Sequence, residues 1–203
     1  PLHGGGRGFD PLFTHKRLCI VMKYGAPYMM IKLHPEELDL VLSKTTSKDL
    51  KLERGTTSGK DIRKSSVSWI DDQHLKDFFF LMCHKINLES SWNLQILGMD
   101  KLQYTTYENP GDYYGWHVDQ REPSDYGVRK ISMTLFLSDP EEYDGGELEL
   151  ELGSPDLDKR TISFKEEKGV AIFFQSDVWH RVLPVKTGSR KSLVAWFRGC
   201  PYI

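Results

Sequence analysis

The chain has 203 residues, of which 39% are hydrophobic and 12% aromatic, a composition that supports one folded domain and excludes an intrinsically disordered chain. Its 27 basic and 29 acidic residues nearly cancel, so the protein has no general electrostatic attraction for nucleic acid. No apolar run is long enough to span a membrane. Three widely spaced cysteines without a CxxC pair, Cys19, Cys83 and Cys200, predict free thiols in a reducing, cytoplasmic compartment.

Residues 1–93 are predicted to form a helical support that contains a mobile loop. The segment "HPEELDLVLSKT" at 34–45 opens with Pro-Glu-Glu and continues with apolar residues at helical spacing. The segment "SWIDDQHLKDFFFLMCHKI" at 68–86 repeats this spacing and predicts a second helix. Its apolar face consists of Ile70, Leu75, Phe78, Phe79 and Met82. Between them, the polar and basic segment 43–66 is predicted to be a mobile loop with at most one short strand.

Residues 94–200 are predicted to form strands, because apolar and polar residues alternate there with period two. In "KISMTLFLSD" at 130–139, one face carries Ile131, Met133, Leu135 and Leu137, and the other carries Ser132, Thr134 and Phe136. Turn signals such as Asp144-Gly145-Gly146 separate the strands at short intervals. The expected fold is mainly β with α, in a single domain over 1–203. Its catalytic core at 94–200 is a double-stranded β-helix, or jelly roll, supported by the N-terminal helices.

The stretch "YENPGDYYGWHVDQ" at 107–120 ends in a His-x-Asp pair, His117 and Asp119. Side chains at i and i+2 of a strand project from the same face, so both residues can bind one metal ion. A third ligand is available at His180, in "SDVWHRVLPV". Two histidines and one carboxylate form the facial set that leaves open positions on non-haem Fe(II), whereas a structural zinc site has four ligands, typically including cysteine.

A second His-x-acid pattern occurs at His34-Pro35-Glu36. Its Pro-Glu-Glu context favours a helix N-terminus, where acidic side chains interact well with the helix dipole, over a metal site. His3 and His15 lie in the irregular N-terminal segment, and His74 and His84 are ten residues apart on the predicted second helix. These four histidines are therefore weaker candidates for metal binding.

Arg190 follows His180 by ten residues and opens the predicted strand "RKSLVAWFRG". Arg190 shares one face of this strand with Ser192, Val194 and Trp196. If that face points inward, the buried guanidinium requires an anionic partner, and the far carboxylate of a dicarboxylate cosubstrate would serve. The alternative is that Arg190 faces solvent beside Lys191.

Five motifs in this order resemble the 2-oxoglutarate- and Fe(II)-dependent dioxygenases, and within them the prolyl 4-hydroxylase-like branch. They are "YENPGDYYGWHVD", "ISMTLFLSD", "YDGGELEL", "KGVAIFF" and "WHRVLPVKTGSRKSLVAW", and together they cover residues 103–199. The resemblance implies that His117, Asp119 and His180 are the catalytic ligands of Fe(II). It also implies that 2-oxoglutarate and O2 are cosubstrates, that Arg190 pairs with the 5-carboxylate of 2-oxoglutarate, and that ascorbate is the reductant.

The same resemblance assigns further residues to the site. Tyr107 and Trp196 match family positions near the cosubstrate, and Tyr114 matches an aromatic residue that lines the substrate pocket. The hypoxia-type prolyl hydroxylases have a tyrosine on the strand after the metal loop that assists the basic residue. Here "SMTLFLS" offers Thr134 or Phe136 instead, and we assign Thr134 to this role.

The resemblance favours hydroxylation of a prolyl residue in a peptide or protein, without a nucleic-acid or membrane partner. The same chemistry on a free amino acid or another small molecule is the first alternative, and a jelly-roll module that binds metal without turnover is the second. A nucleic-acid demethylase is disfavoured, because such relatives carry a second arginine where this chain has Trp196. The segments 43–66 and 120–130 are either lids over the substrate or ordinary solvated loops.

Overall fold

The computed structural model describes residues 17–18, 27–46, 50–56, 62–120, 127–153 and 160–201. Within these residues the chain is mainly β, as the sequence predicted, with two α-helices, α1 (Pro35–Thr45) and α2 (Gln73–Glu89). The strands of the first half are β1 (Arg17–Leu18), β2 (Tyr28–Lys32), β3 (Glu53–Arg54), β4 (Arg63–Lys64) and β5 (Ser66–Ile70). Those of the second half are β6 (Gly98–Met99), β7 (Leu102–Tyr107), β8 (Tyr113–His117), β9 (Val128–Phe136), β10 (Tyr143–Gly145), β11 (Leu148–Glu151), β12 (Thr161–Phe164), β13 (Val170–Gln175), β14 (His180–Val182), β15 (Val185–Gly188) and β16 (Arg190–Gly199).

Two antiparallel sheets face each other across an apolar layer. The large sheet has the order β1-β2-β13-β9-β16-β7-β5-β3, with β6 also paired to β16, and the small sheet has the order β12-β11-β14-β8-β4. Strands β10 and β15 form a separate pair. Side chains of Phe136, Ile172 and Phe174 from the large sheet pack against Leu148 and Leu150 of the small sheet. This is the arrangement of a jelly roll, in which the space between the sheets can hold a ligand.

The period-two pattern of β9 places its residues as the sequence predicted. Ile131, Met133 and Leu135 are fully buried on the outer face of the large sheet, whereas Phe136 belongs to the layer between the two sheets. Strands β13 and β16 pair with β9 on either side, so the same division into two faces extends across the centre of the sheet. The outer face is therefore available for helix packing, and the inner face is available for a site.

Both helices contribute apolar residues to the core on the outer face of the large sheet. Val41 of α1 and Leu75, Phe79 and Met82 of α2 are buried in one cluster with the outward side chains of β9, β13 and β16. Helix α1 begins at Pro35, and the backbone N–H of His34 donates to the Glu37 carboxylate at 2.8 Å. The interpretation of His34-Pro35-Glu36 as a helix N-terminus is therefore correct.

The start of the second helix was predicted wrongly. Residues Ser66–Ile70 form strand β5, which pairs with β7, and the helix begins only at Gln73. The alternating sequence Ser-Val-Ser-Trp-Ile fits a strand, and the carboxylate of Asp72 then caps the helix by accepting from the N–H of Leu75 at 3.0 Å. Ile70 therefore does not belong to the helix face.

The first half also contributes more strand than the sequence indicated. Strand β2 pairs with β13 and β5 pairs with β7, so residues 28–32 and 66–70 extend the large sheet. The segment 43–66 contains the end of α1 and strands β3 and β4, while residues 47–49 and 57–61 lie outside the described residues. The same holds for 121–126, most of the other predicted loop. Neither helix of the described part is long and apolar enough to cross a membrane.

Replacing Phe79 tests the packing of α2 on the sheet. Phe79 is fully buried and Leu81 is 65% exposed on the same helix. Phe79→Ala should lower the free energy of unfolding by about 3–5 kcal/mol, because it leaves a cavity, whereas Leu81→Ala should change it by less than about 0.5 kcal/mol. Urea unfolding followed by circular dichroism measures both values. Equal effects of the two variants would contradict this packing.

Candidate metal centre and cofactor pocket

The three predicted metal ligands meet at the ends of two neighbouring strands of the small sheet, β8 and β14. Strand β8 ends at His117, and Asp119 lies two residues farther on, beyond the strand rather than within it as the sequence suggested. His180 is the first residue of β14 and stands opposite His117 in the strand pairing. The tight backbone after β8 is fixed by the N–H groups of Asp119 and Gln120, which both donate to the carbonyl oxygen of Ser176.

The ligand atoms of these residues converge within 4.8 Å of one another, and they form the one such His/Cys/Asp/Glu group among the described residues. The Nε2 atom of His180 lies 3.3 Å from Asp119 Oδ2, and the Nε2 atom of His117 lies 3.8 Å from Asp119 Oδ1. Two imidazoles and one carboxylate in a cluster of this size fit the 2-His-1-carboxylate set for Fe(II).

Backbone carbonyl groups orient both imidazoles. The Nδ1 atom of His117 lies 2.8 Å from the carbonyl oxygen of Gly115, and that of His180 lies 2.9 Å from the carbonyl oxygen of Val178. Because a carbonyl oxygen only accepts hydrogen bonds, each Nδ1 carries a proton, and in the neutral form of each ring the Nε2 atom has the lone pair that can bind a metal. This is the tautomer that a metal-binding histidine needs.

Two serines fix the carboxylate of Asp119, and the sequence analysis did not find them. The hydroxyl of Ser132 on β9 donates to Asp119 Oδ2 at 2.8 Å. The hydroxyl of Ser176 lies 2.9 Å from that of Ser132. Because the proton of the Ser132 hydroxyl is donated to Asp119, the Ser176 hydroxyl donates to the Ser132 oxygen. Ser132 faces inward by the alternation of β9, which is the sequence signal that could have identified it.

The electrostatic environment keeps these groups ready to bind a cation. Burial and the neighbouring His180 together lower the pKa of His117 to about 3, although Asp119 opposes both effects. Burial raises the pKa of Asp119, but the proximity and hydrogen bonding of His180 and the charges of His117 and Arg129 outweigh it, so the net shift is downward. At neutral pH His117 is therefore neutral and Asp119 is ionised, as metal ligands must be.

Arg190 points into the same interior. It is only 1% exposed, and its Nη1 donates to the hydroxyl of Ser192 at 3.1 Å. Its Nε and Nη2 atoms are buried and have no hydrogen-bond partner among the described residues. The rings of Tyr107 and Phe136 lie 5.3 Å from its guanidinium carbon, and no carboxylate of the described residues forms an ion pair with it. A buried cation with unpaired donors is energetically costly, and an anionic ligand would remove this cost.

One cavity connects the metal centre to Arg190. All the site residues that the sequence indicated contribute to its wall: Tyr107, Tyr114, His117, Asp119, Thr134, His180, Arg190 and Trp196. The ring of Tyr114 stacks on the imidazole of His117, with ring centres 3.6 Å apart. The alternative in which Arg190 faces solvent is therefore wrong.

Tyr143 is a candidate that the sequence analysis missed. Its ring is 4% exposed, and its hydroxyl has no hydrogen-bond partner in the described part of the chain. A Cβ on Gly146 would lie 3.1 Å from Arg190 Cδ and 3.3 Å from Tyr143 Cε2, so both side chains pack over this glycine. Burial raises the pKa of Tyr143 although Arg190 opposes the shift, so at neutral pH the phenol keeps its proton and can donate it.

Arg63 is the second missed residue. It lies on β4 at the edge of the small sheet, is 7% exposed, and contributes to the cavity wall on the metal side. Its Nε donates to the Ser65 hydroxyl at 2.8 Å and its Nη2 to the Gln103 amide oxygen at 2.9 Å. Its position in a two-residue strand leaves no periodic signal in the sequence. A cleft bounded by Trp69, Arg129 and Trp196, among other residues, continues from Arg63 to the surface.

Sequence comparison identifies relatives of the core. Residues 102–198 match the family model described as the 2OG-Fe(II) oxygenase superfamily. A PKHD-type hydroxylase of Sphingopyxis alaskensis is 43% identical over 88 residues, which are 42% of this chain and 38% of that protein. A PKHD-type hydroxylase of Synechococcus is 40% identical over 86 residues, which are 42% and 36% of the two chains. The matched region thus spans well under half of these curated relatives.

Structure comparison extends the similarity to most of the chain. A prolyl-4-hydroxylase of Pseudomonas putida is similar with a TM-score of 0.64 and 22% identity, over 86% of this chain and 94% of that one. A prolyl hydroxylase of Trichoplax adhaerens, in complex with a hypoxia inducible factor peptide fragment, is similar with a TM-score of 0.66 and 20% identity, over 85% and 83% of the two chains. Residues 102–198 are therefore similar to the 2OG-Fe(II) oxygenase superfamily, and the fold of the chain is like that of the prolyl 4-hydroxylases.

Proposed function

We propose that this protein is an Fe(II)- and 2-oxoglutarate-dependent dioxygenase that hydroxylates a prolyl residue of a peptide or protein. The observation that carries the oxygenase proposal is the pairing of a His/Asp/His cluster with a buried, incompletely paired arginine across one cavity. A closed zinc site would need a fourth protein ligand and would give Arg190 no role. An iron centre that shares its cavity with a dicarboxylate cosubstrate explains both features.

In this proposal His117, Asp119 and His180 bind Fe(II), which supplies the activation of O2 for insertion of oxygen into a C–H bond. The protein orients both imidazoles through their Nδ1 atoms, keeps His117 neutral and Asp119 ionised, and leaves the remaining coordination positions open. Arg190 binds the 5-carboxylate of 2-oxoglutarate. The walls contributed by Tyr107, Thr134 and Trp196 complete the cosubstrate pocket, and Tyr114 lies beside the position of the substrate.

Tyr143, rather than Thr134, is the polar residue we assign to assist Arg190. Its buried hydroxyl has no hydrogen-bond partner among the described residues and lies beside the guanidinium, whereas Thr134 contributes only to the cavity wall. A carboxylate placed between them would accept hydrogen bonds from both Nη2 of Arg190 and the phenol of Tyr143. Thr134 is then a wall residue of the same pocket.

The names of the relatives support a prolyl substrate, and the cleft supports a substrate larger than a free amino acid. The rings of Trp69 and Trp196 contact each other, with their centres 6.0 Å apart, and together they form an aromatic surface that suits an apolar ring. The same chemistry on a free amino acid uses the same metal and cosubstrate groups and is the alternative. A metal-binding module without turnover would not explain why the buried Nε and Nη2 donors of Arg190 have no hydrogen-bond partner among the described residues.

Assembly of the iron and cosubstrate complex can be observed without any substrate. Anaerobic addition of Fe(II) and 2-oxoglutarate to the wild-type protein should produce the weak visible charge-transfer band of the chelated cosubstrate. His180→Ala should abolish this band, because one ligand is lost, while His74→Ala on the exposed face of α2 should retain it. A band of full intensity in His180→Ala would refute the assignment of His180.

The two residues proposed for the 5-carboxylate should affect cosubstrate affinity to different degrees. Loss of a hydrogen bond to a charged group costs about 1.5–3 kcal/mol, so Tyr143→Phe should raise the KM for 2-oxoglutarate by about 10-fold or more. Arg190→Gln removes the charge itself and should raise it by at least about 100-fold. Tyr104→Phe, on the outer face of the sheet, is the matched control and should leave this KM unchanged. Succinate production at varied 2-oxoglutarate concentration measures all three.

Mass spectrometry of product peptides tests the prolyl assignment. Proline-containing peptides incubated with the protein, Fe(II), 2-oxoglutarate and ascorbate should gain one oxygen atom on proline. Peptides in which alanine replaces proline should remain unmodified. Succinate formation that responds to free amino acids but to no peptide would favour the alternative substrate class.

A further inference from the structure

We propose that Arg63 is a second anion-binding residue, which recognises a carboxylate of the substrate beside the metal centre. This inference rests on the proposed oxygenase function and deepens it by naming a chemical feature of the substrate. It assigns to Arg63 a ligand distinct from 2-oxoglutarate, which Arg190 binds. The substrate carboxylate would lie close to the carbon that is hydroxylated.

The first argument is the bonding of the Arg63 guanidinium. Its partners are all neutral: the hydroxyls of Ser65 and Thr105, the amide of Gln103 and the ring face of Tyr114, whose centre lies 4.6 Å from Arg63 Cζ. No carboxylate among the described residues forms an ion pair with it, although it is 7% exposed. These neighbours hold the guanidinium in place without neutralising its charge, and a buried charge without a counter-charge is costly.

The second argument is position. The Tyr114 ring lies between the guanidinium of Arg63 and the imidazole of His117, on which it stacks. Arg63 borders both the inner cavity and the outer cleft that opens beside the metal ligands. An anion on Arg63 would therefore stand one aromatic ring away from the metal centre, at the entrance used by substrate.

The third argument is the balance of charge in the cavity. Its charged walls are Arg63, Arg190 and a single carboxylate, Asp119, with both histidines neutral as ligands. A divalent metal adds two positive charges, and the dianion 2-oxoglutarate removes two. One positive charge then remains, on the side where Arg63 stands, and a substrate carboxylate would neutralise it.

The other arginine of the cleft cannot take this role. Arg129 is committed to Asp100, with Nη2 2.7 Å and Nε 2.9 Å from its Oδ2, and its guanidinium stacks on Trp196 at 3.8 Å. Arg129 thereby fixes the Trp196 ring as a cleft wall beside Trp69. A substrate would place its carboxylate on Arg63 and its apolar ring against the surface formed by the two tryptophans.

Two sources of carboxylate share this chemistry, and matched pairs of ligands separate them. N-acetylproline against N-acetylprolinamide tests a terminal carboxylate, and acetyl-Pro-Glu-amide against acetyl-Pro-Gln-amide tests an acidic side chain. Each ligand is titrated anaerobically into the full chain loaded with Fe(II) and 2-oxoglutarate, and tryptophan fluorescence reports binding, since Trp69 and Trp196 line the cleft. The variants are Arg63→Gln, Arg63→Lys and, as control, Arg181→Gln, whose guanidinium pairs with Glu149 elsewhere on the small sheet.

In the wild type, the acid of at least one pair should bind about 10-fold or more tightly than its neutral partner. Arg63→Gln should reduce this ratio to about one without changing the affinity for 2-oxoglutarate, Arg63→Lys should restore it in part, and Arg181→Gln should preserve it. The inference is wrong if the wild type binds neither acid more tightly than its neutral partner. It is also wrong if the preference for the acid persists in Arg63→Gln. Failure of the wild type to bind 2-oxoglutarate would instead contradict the proposed function.

Discussion

The alternation of side chains along the central strands of the large sheet is the constraint on which the rest of the structure depends. On β16, Leu193, Ala195 and Phe197 are fully buried against the helices, while Arg190 and Trp196 face the cavity. A one-residue slip would exchange the two sets and place a guanidinium in the apolar core. The helix packing on the outer face therefore fixes the register that presents polar groups to the interior, and the energetics of the core and the geometry of the site are set together.

The interior is an unusual environment because its fixed charges are mostly positive. Asp119 is the one acidic residue of the described cavity wall, so the buried guanidinium groups of Arg63 and Arg190 are not both neutralised there. Such a site is costly in the absence of ligands, since neutral hydrogen-bond partners do not replace a counter-charge. Binding of an anion would recover this cost, and in the proposed function this couples cosubstrate binding to the stability of the fold.

The parts of the fold and site that could be predicted from sequence are those with a repeating or closely spaced signal. Period two in a long strand put Arg190 on one face with Ser192 and Trp196, the family resemblance favoured the inward direction of that face, and the proximity of His117 and Asp119 followed from their spacing. Strand β5 was mistaken for the start of a helix, because its apolar residues also fit helical spacing and pairing with β7 decides between the two. Arg63 could not be found, because it lies in a two-residue strand, and only the register with Tyr114 brings it to the cavity.

Tyr143 on β10 places a hydroxyl group beside the guanidinium of Arg190, a position that the sequence analysis had assigned to a residue of β9. Where the hypoxia-type relatives carry a tyrosine on the strand after the metal loop, this chain has Phe136, whose ring packs in the apolar layer near Arg190. The hydroxyl beside the guanidinium comes instead from β10, which follows after a short 3-10 turn at Pro140–Glu142. Gly146 makes this possible, since a side chain there would collide with Val185 and crowd both Arg190 and Tyr143. In the proposed cosubstrate site, the Tyr-Asp-Gly-Gly sequence thus combines the donor and the space it needs, and no hydroxyl is required at position 136.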